Sequence, residues 1–188
     1  MSPRTLFIGA ATALALTTTA CDRPLSPSQD HLADRATVAH FARHDVDLGP
    51  CPALAAPSGA LVSSVIYARG TQDYMWDGNA WLFVGPTAEL FASRTFRGLV
   101  GTHYAGPTWV SVSGSGVVGR VENRCTATTS SIPWLLLSAV SSRGPGIFEG
   151  TTHIQRLRTQ GGLAPVAPGT AYGQKARVPY TAEYVFYR

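Results

Sequence analysis

Charged side chains are scarce in this sequence, making up 14% of its residues, whereas apolar residues make up 45%. Only one lysine is present, Lys175, so arginine carries nearly all of the positive charge. A chain with this much apolar surface is expected to fold around a core rather than to stay disordered. Its 188 residues, with 19 glycines and 13 prolines, suit one turn-rich domain with flanking segments.

The N-terminal apolar run, residues 6–16, is only eleven residues long and is too short to span a bilayer as a helix. It follows Arg4 and is followed by small residues, so residues 1–20 are predicted to be a signal peptide. Ala20 and Cys21 resemble the processing site of bacterial lipoproteins, in which the cysteine is acylated. We therefore expect lipidation of Cys21 and a membrane-anchored lipoprotein facing the periplasm or cell surface. The alternative is a secreted soluble protein, because Thr18 and Ala20 also suit ordinary signal peptidase.

Cysteine is rare as well, with residues only at positions 21, 51 and 125. If Cys21 carries the lipid, the other two are free to pair in an oxidising compartment. We predict a disulfide between Cys51 and Cys125, which would connect the start of the domain to its middle. The alternative is that each cysteine is separately buried as a small apolar residue.

No long helical periodicity appears after residue 51. Short runs rich in Val, Ile, Tyr, Trp and Thr alternate there with clusters of Gly, Pro and Ser. Eight such runs are found, at 60–68, 80–85, 97–104, 108–113, 116–122, 132–140, 151–159 and 179–188. They predict an all-β domain over residues 51–188, either a sandwich or a flattened barrel of about eight strands. Residues 21–50 are predicted to be a tether, with a possible short helix that begins near Ser26.

Local patterns refine three of these runs. The last run alternates cleanly and its second face is only partly polar, so both of its sides are expected to be covered. Ile154 and Leu157 cannot share a face of a regular strand, which predicts a bulge. The segment 113–116 (SGSG) is expected to close a hairpin. A short stretch at 87–93 (TAELFAS) suggests one or two helical turns.

Several stretches resemble the DUF3455 family, a domain of unknown function found in bacteria and fungi. They are GTQDYMW (70–76), AWLFVGPTAEL (80–90), GTHYAGPTW (101–109), SGSGVVG (113–119), IPWLLL (132–137), THIQRLRTQGGLAP (152–165) and RVPYTAEYVFY (177–187). The resemblance implies an exported protein and assigns no activity. The family often has a cysteine where this chain has Trp76 and another after the match to Ala164-Pro165, and both are absent here.

The sequence contains few features that would support catalysis. It has no Gly-x-Ser-x-Gly motif and no glycine-rich dinucleotide loop, so neither that class of hydrolase nor a Rossmann enzyme is indicated. His103 is expected to fix a corner of the fold, with ligand contact and catalysis as alternatives. If the protein were a small hydrolase, His103 would act with Glu149, the best acid candidate. We predict neither a metal nor another cofactor.

Charge and donor groups favour a binding module. From Asn79 onwards, nine arginines and Lys175 face four glutamates, a net charge of +6, whereas residues 21–78 carry −3. The expected partners are an anionic glycan, a lipid head group or an envelope protein, and no nucleic acid. The candidate ligand-binding residues offer aromatic faces or planar donors. They are His103, Tyr104, Trp109, Gln155, Arg156 and Arg158.

Overall fold

The computed structural model describes residues 46–188, which fold into eight antiparallel strands and one 3-10 turn at Pro52–Leu54, without an α-helix. The strands are β1 (Val62–Trp76), β2 (Trp81–Phe91), β3 (Leu99–Tyr104), β4 (Thr108–Ser111), β5 (Gly116–Cys125), β6 (Trp134–Arg143), β7 (His153–Gly161) and β8 (Lys175–Tyr187). Each corresponds to one of the eight predicted runs, so the all-β prediction is confirmed. The predicted signal peptide, the lipidation site Cys21 and the helix near Ser26 lie outside the described residues.

Each strand pairs with the next along the chain, and β8 pairs back with β1, so the sheet closes into a ring. The ring is not a regular barrel, because β4 has four residues and β6 meets β7 through only four registered pairs. The alternating strand directions place four connections at one end, those of β1–β2, β3–β4, β5–β6 and β7–β8. We call this the mouth end, and the other the base end.

The interior of the ring is filled by alternate residues of each strand. On β8, Tyr180, Ala182, Tyr184 and Phe186 all belong to this inner core. Val185 and Tyr187 belong to a second cluster on the outer face. Because β8 is buried on both faces, its mixed apolar pattern is explained and the prediction that both sides are covered is confirmed.

The outer cluster is covered by residues 46–61, which we call the N-terminal strap. Cys51 and Leu54 of the strap pack on a patch of apolar side chains from β6, β7 and β8. The predicted disulfide is present, with Cys51 bonded to Cys125 at the end of β5. A strap is required here because Trp134 and Leu136 would otherwise leave an apolar patch facing water.

The local predictions fared differently. A bulge is present in β7, because the register with β8 shifts after Leu157 and Arg158 adopts a φ of 48°. The reason given for it was wrong, since Ile154 faces the inner core and Leu157 the outer cluster, as regular alternation requires. The hairpin at 113–116 is confirmed by the pairing of β4 with β5. The helical turns expected at 87–93 were wrong, because residues 87–91 belong to β2 and pair with both β1 and β3. Cross-strand pairing on both sides outweighs the weak local preference for helix.

Candidate functional site

A cavity of about 370 Å³ lies inside the ring, toward the mouth end. Its volume falls in the range of small-molecule sites. Its polar lining comes from the inner faces of several strands, and the apolar part from β2, β6 and the loop before β6. Among residues 46–188, those lining the cavity include no aspartate or glutamate. Any charge in the wall is therefore positive, from Arg156 and from the exposed Arg124 at the edge.

The hairpin of β3 and β4 places His103 and Trp109 in the wall. The two residues are directly opposite each other across the hairpin, which explains their spacing in the sequence. Their rings stack with centroids 4.4 Å apart and an interplanar angle of 12°. Gly106, at a φ of 96°, makes the tight turn between the strands possible. The stretch 101–109 is thus both a structural corner and part of a cavity wall.

His103 is neutral at physiological pH. Its Nδ1 lies 2.9 Å from the carbonyl oxygen of Thr108, which can only accept, so Nδ1 carries the proton and Nε2 holds the lone pair. The pKa of His103 is lowered to about 3, mainly by burial and also by the positive charge of Arg156, against the opposing effect of the Thr108 bond. The ring therefore serves as a hydrogen-bonding group and not as a charge.

Arg156 on β7 supplies the cationic part of the wall. Its Nε and Nη2 donate to the carbonyl oxygen of Pro133, at 3.2 and 2.8 Å. A guanidinium has five N–H groups, so three remain, including the pair on its end-on edge. No carboxylate of residues 46–188 pairs with Arg156. The carbonyl clamp orients the guanidinium and leaves its charge without a counter-ion in that part of the chain.

Four buried polar atoms near Arg156 have no hydrogen-bond partner within the described chain. They are Nε2 of Gln72, Nε1 of Trp109 and the hydroxyl oxygens of Tyr180 and Tyr184. Burial raises the pKa of Tyr184, and the charge of Arg156 opposes that rise. The hydroxyl of Tyr184 lies beside Arg156 and Tyr180, and that of Tyr180 beside Gln72, so these groups form a buried polar cluster within the wall.

The other proposed ligand-binding residues lie elsewhere. Tyr104 points to the opposite face of β3 from His103 and is 44% exposed. Gln155 donates from Nε2 to the carbonyl oxygen of Leu54, and accepts from the hydroxyl of Tyr187, both at 2.6 Å. It thus fastens the N-terminal strap to the outside of the ring. Of the six candidate ligand-binding residues predicted from the sequence, only His103, Trp109 and Arg156 line the cavity.

Arg158 belongs to an ion-pair cluster on the outer face. Its Nη1 contacts Oε1 of Glu183 at 2.6 Å, and Arg94 contacts the other carboxylate oxygen at 3.0 Å. The guanidinium of Arg94 also lies over the ring of Tyr67, 5.6 Å from its centroid. A smaller groove of about 270 Å³ is lined by these residues. Here the arginines already have a carboxylate partner, unlike Arg156.

Glu149, the acid proposed to act with His103, is not part of the cavity. It is exposed in the connection between β6 and β7, at the base end of the ring. The neighbouring Phe148 is fully buried and packs against Phe186 in the inner core. The structure therefore separates the two members of the proposed hydrolase pair.

Residues 46–188 hold no cluster of three or more His, Cys, Asp or Glu side chains suited to a metal ion. Within the same range, no helix is both long and apolar enough to cross a membrane.

The fold and the site define a class of protein, an all-β ring with a cavity at its mouth end. The lining of this cavity is largely apolar and includes the cation Arg156. The chain belongs to the DUF3455 family, described as a protein of unknown function, whose model matches residues 57–188. No curated protein and no solved structure matched the chain. The family assignment agrees with the resemblance found in the sequence and leaves the activity to be argued from the site.

Sequence reasoning missed the polar residues from the first and last strands, Gln72 and Tyr184. A signal for Gln72 was present, because it interrupts the inward-facing series of Ile66, Ala68 and Tyr74 on β1. A polar amide in a buried alternating series needs a partner, and here the protein supplies none for its Nε2. Tyr184 carried no comparable signal, because an inward-facing tyrosine is also an ordinary core residue.

Proposed function

We propose that this protein is an exported, lipid-anchored envelope module that binds a small organic anion without transforming it. The binding site is the cavity between His103, Trp109 and Arg156. One observation carries the proposal: the guanidinium of Arg156 reaches a cavity wall without aspartate or glutamate and has no carboxylate partner in residues 46–188.

An anion suits this cavity better than a neutral or cationic ligand. The three N–H groups that Arg156 has left match the two oxygens of a carboxylate, or the oxygens of a phosphate. Trp109, Tyr184 and Gln72 line the same cavity. Charge–charge attraction is stronger here than in bulk water because the surrounding side chains are mostly apolar.

A carbohydrate is less well matched to this lining. Sugar hydroxyls both donate and accept, so a sugar site needs carboxylate and amide acceptors beside its donors. The lining residues in the described chain include one amide, Gln72, and no carboxylate. The anionic class of ligand is therefore the one that we propose.

Binding is favoured over hydrolysis by the state of His103. A general base works best when its pKa is near the working pH. Burial holds the pKa of His103 at about 3, which makes it a weak base at neutral pH. Glu149 lies at the base end and does not line the cavity. The wall groups are thus arranged to hold a ligand.

Isothermal titration with three ligands of similar shape tests the site. Benzoate, benzyl alcohol and benzylamine differ mainly in charge, and benzoate should bind most tightly. Arg156→Ala should weaken benzoate binding by about tenfold to a hundredfold, the value of a charged hydrogen-bonded contact. Arg156→Lys should recover only part of it. Arg120→Gln is the matched control, because Arg120 is exposed and does not line the cavity. Equal binding of the three ligands, or an equal loss in the control, would overturn the proposal.

The envelope part of the proposal rests on the N-terminal sequence, from Arg4 to Cys21. A lipid on Cys21 would add mass to the mature protein and send it into a detergent phase. The test compares intact mass and detergent partitioning of the full-length wild type with Cys21→Ser expressed in a bacterial host. If the two masses differ only by the exchange of sulfur for oxygen and both proteins remain in the aqueous phase, the anchor is wrong and secretion is favoured.

A further inference from the structure

A bulge in β2 shapes the mouth of the cavity. On β1, Tyr74 pairs with Phe83 and the preceding Asp73 pairs with Gly85, so Val84 has no partner on β1. In a regular strand, Phe83 and Val84 would point to opposite faces of the sheet. Both nevertheless line the cavity. The bulge therefore turns two consecutive apolar side chains toward one opening, and bulges are often found beside functional sites.

These two side chains are also unusually exposed for residues that line a cavity. Phe83 is 56% exposed and Val84 is 58% exposed. Deeper in the same cavity, Ile132 and Leu137 are 6% and 1% exposed. The apolar wall thus continues from the core to the mouth, where it remains open to solvent. A ligand with an apolar part would remove this surface from water.

The guanidinium of Arg156 and the exposed apolar pair lie on different parts of the wall, although Leu135 of β6, which pairs with Arg156, also belongs to the apolar lining. The cation is on β7, at Arg156, and the exposed apolar pair is on β2. Strands β7 and β2 are not neighbours in the ring, because β8 and β1 lie between them. A ligand that meets both must carry its anionic group and its apolar surface on separate parts.

Building on the proposed function, we infer that the ligand is an amphipathic monocarboxylate with an acyl or aromatic body. Its carboxylate is held by the end-on edge of Arg156, and its body covers Phe83 and Val84 at the mouth. A phosphate monoester of the same shape shares the charge chemistry and forms a second arm of the test below.

Calorimetric titration with straight-chain carboxylates, from butanoate through hexanoate to octanoate, measures the contribution of the body. Each added methylene that is buried should tighten binding about fourfold. Titrations with alcohols and alkyl phosphates of equal chain length separate the contribution of the apolar body to affinity from that of the head group. All titrations use full-length protein at ligand concentrations below micelle formation.

Variants at the mouth locate the body. Phe83→Ala and Val84→Ser should each reduce the gain per methylene, so octanoate should lose more affinity than butanoate. Leu82→Ser is the matched control, since Leu82 is 47% exposed on the same strand but does not line the cavity. Because all three substituted side chains are about half exposed, the variants should fold, and their thermal midpoints check this.

The outcomes distinguish this inference from the function on which it rests. Carboxylates that bind more tightly than alcohols, but with no dependence on chain length, would overturn the inference and keep the anion site. Alcohols and carboxylates that bind equally, with affinity rising with chain length, would overturn the anion site and keep the apolar body. If the alkyl phosphates bind more tightly than the carboxylates, the head group that the site prefers is a phosphate and the carboxylate assignment is overturned. Equal losses in Leu82→Ser and Phe83→Ala would overturn the placement at the mouth.

Discussion

Protonation of His103 should destabilise the fold as the pH falls. Burial and the charge of Arg156 hold the pKa of His103 at about 3 in the folded chain, whereas an unfolded histidine titrates near 6.5. Between these values the unfolded state binds more protons, so the free energy of unfolding decreases as the pH is lowered. The stabilisation is fully present above the unfolded pKa and is lost progressively toward pH 3.

At pH 5 this linkage is worth about 2 kcal/mol, because only the unfolded imidazole is protonated there. Urea unfolding at pH 7.5 and pH 5 measures the effect, with the disulfide kept intact. His103→Phe keeps a ring stacked on Trp109 but cannot titrate. Between pH 7.5 and pH 5, its free energy of unfolding should therefore fall by about 2 kcal/mol less than that of the wild type. The variant loses the bond to Thr108, about 1 kcal/mol at either pH. Parallel pH profiles for the two proteins would refute the burial argument.

Three further substitutions test the packing around the cavity and the strap. Gly119→Ala should cost about 1–3 kcal/mol in urea unfolding, because its new Cβ would lie 3.1 Å from the indole of Trp109; no loss would mean that the indole can shift. Replacing Cys51 and Cys125 by alanine should cost about 4 kcal/mol, from a loop of 74 residues, as judged by unfolding with and without reductant. An unchanged stability would show that the strap is held without the disulfide. Gln155→Leu should cost about 1–3 kcal/mol and speed proteolysis of the strap, since two buried hydrogen bonds are lost. Cleavage at the wild-type rate would contradict that role.

Most of the fold was predictable because strand formation here follows short-range pattern. All eight apolar runs are strands. The bulge in β7 lies after Leu157 and does not follow from Ile154 and Leu157, which face opposite sides as in a regular strand. The helical turns at 87–93 failed because pairing with two neighbouring strands outweighs local preference. That the strands close into one ring depends on β1 meeting β8, a contact between distant parts of the chain that no local pattern specifies.

The site was predictable only in part, for a geometric reason. His103 and Trp109 are opposite each other across a short hairpin, so their proximity follows from local sequence. Arg156 and Gln155 alternate on β7, and which of them faces inward is decided by the register of the whole strand. That register turns Arg156 into the cavity and Gln155 toward the strap. Sequence alone treated the two as equivalent donors.

The pairing of β1 with β8 gives the ring an unusual dependence on its last strand. Leu61 and Arg188 exchange backbone hydrogen bonds at 2.8 and 2.9 Å, so the two ends of the ring are held side by side. Since β8 fills both the interior and the surface beneath the strap, the core cannot assemble until that strand has been synthesised. Contacts this remote along the chain make for slow folding, which keeps a newly made polypeptide unfolded for longer.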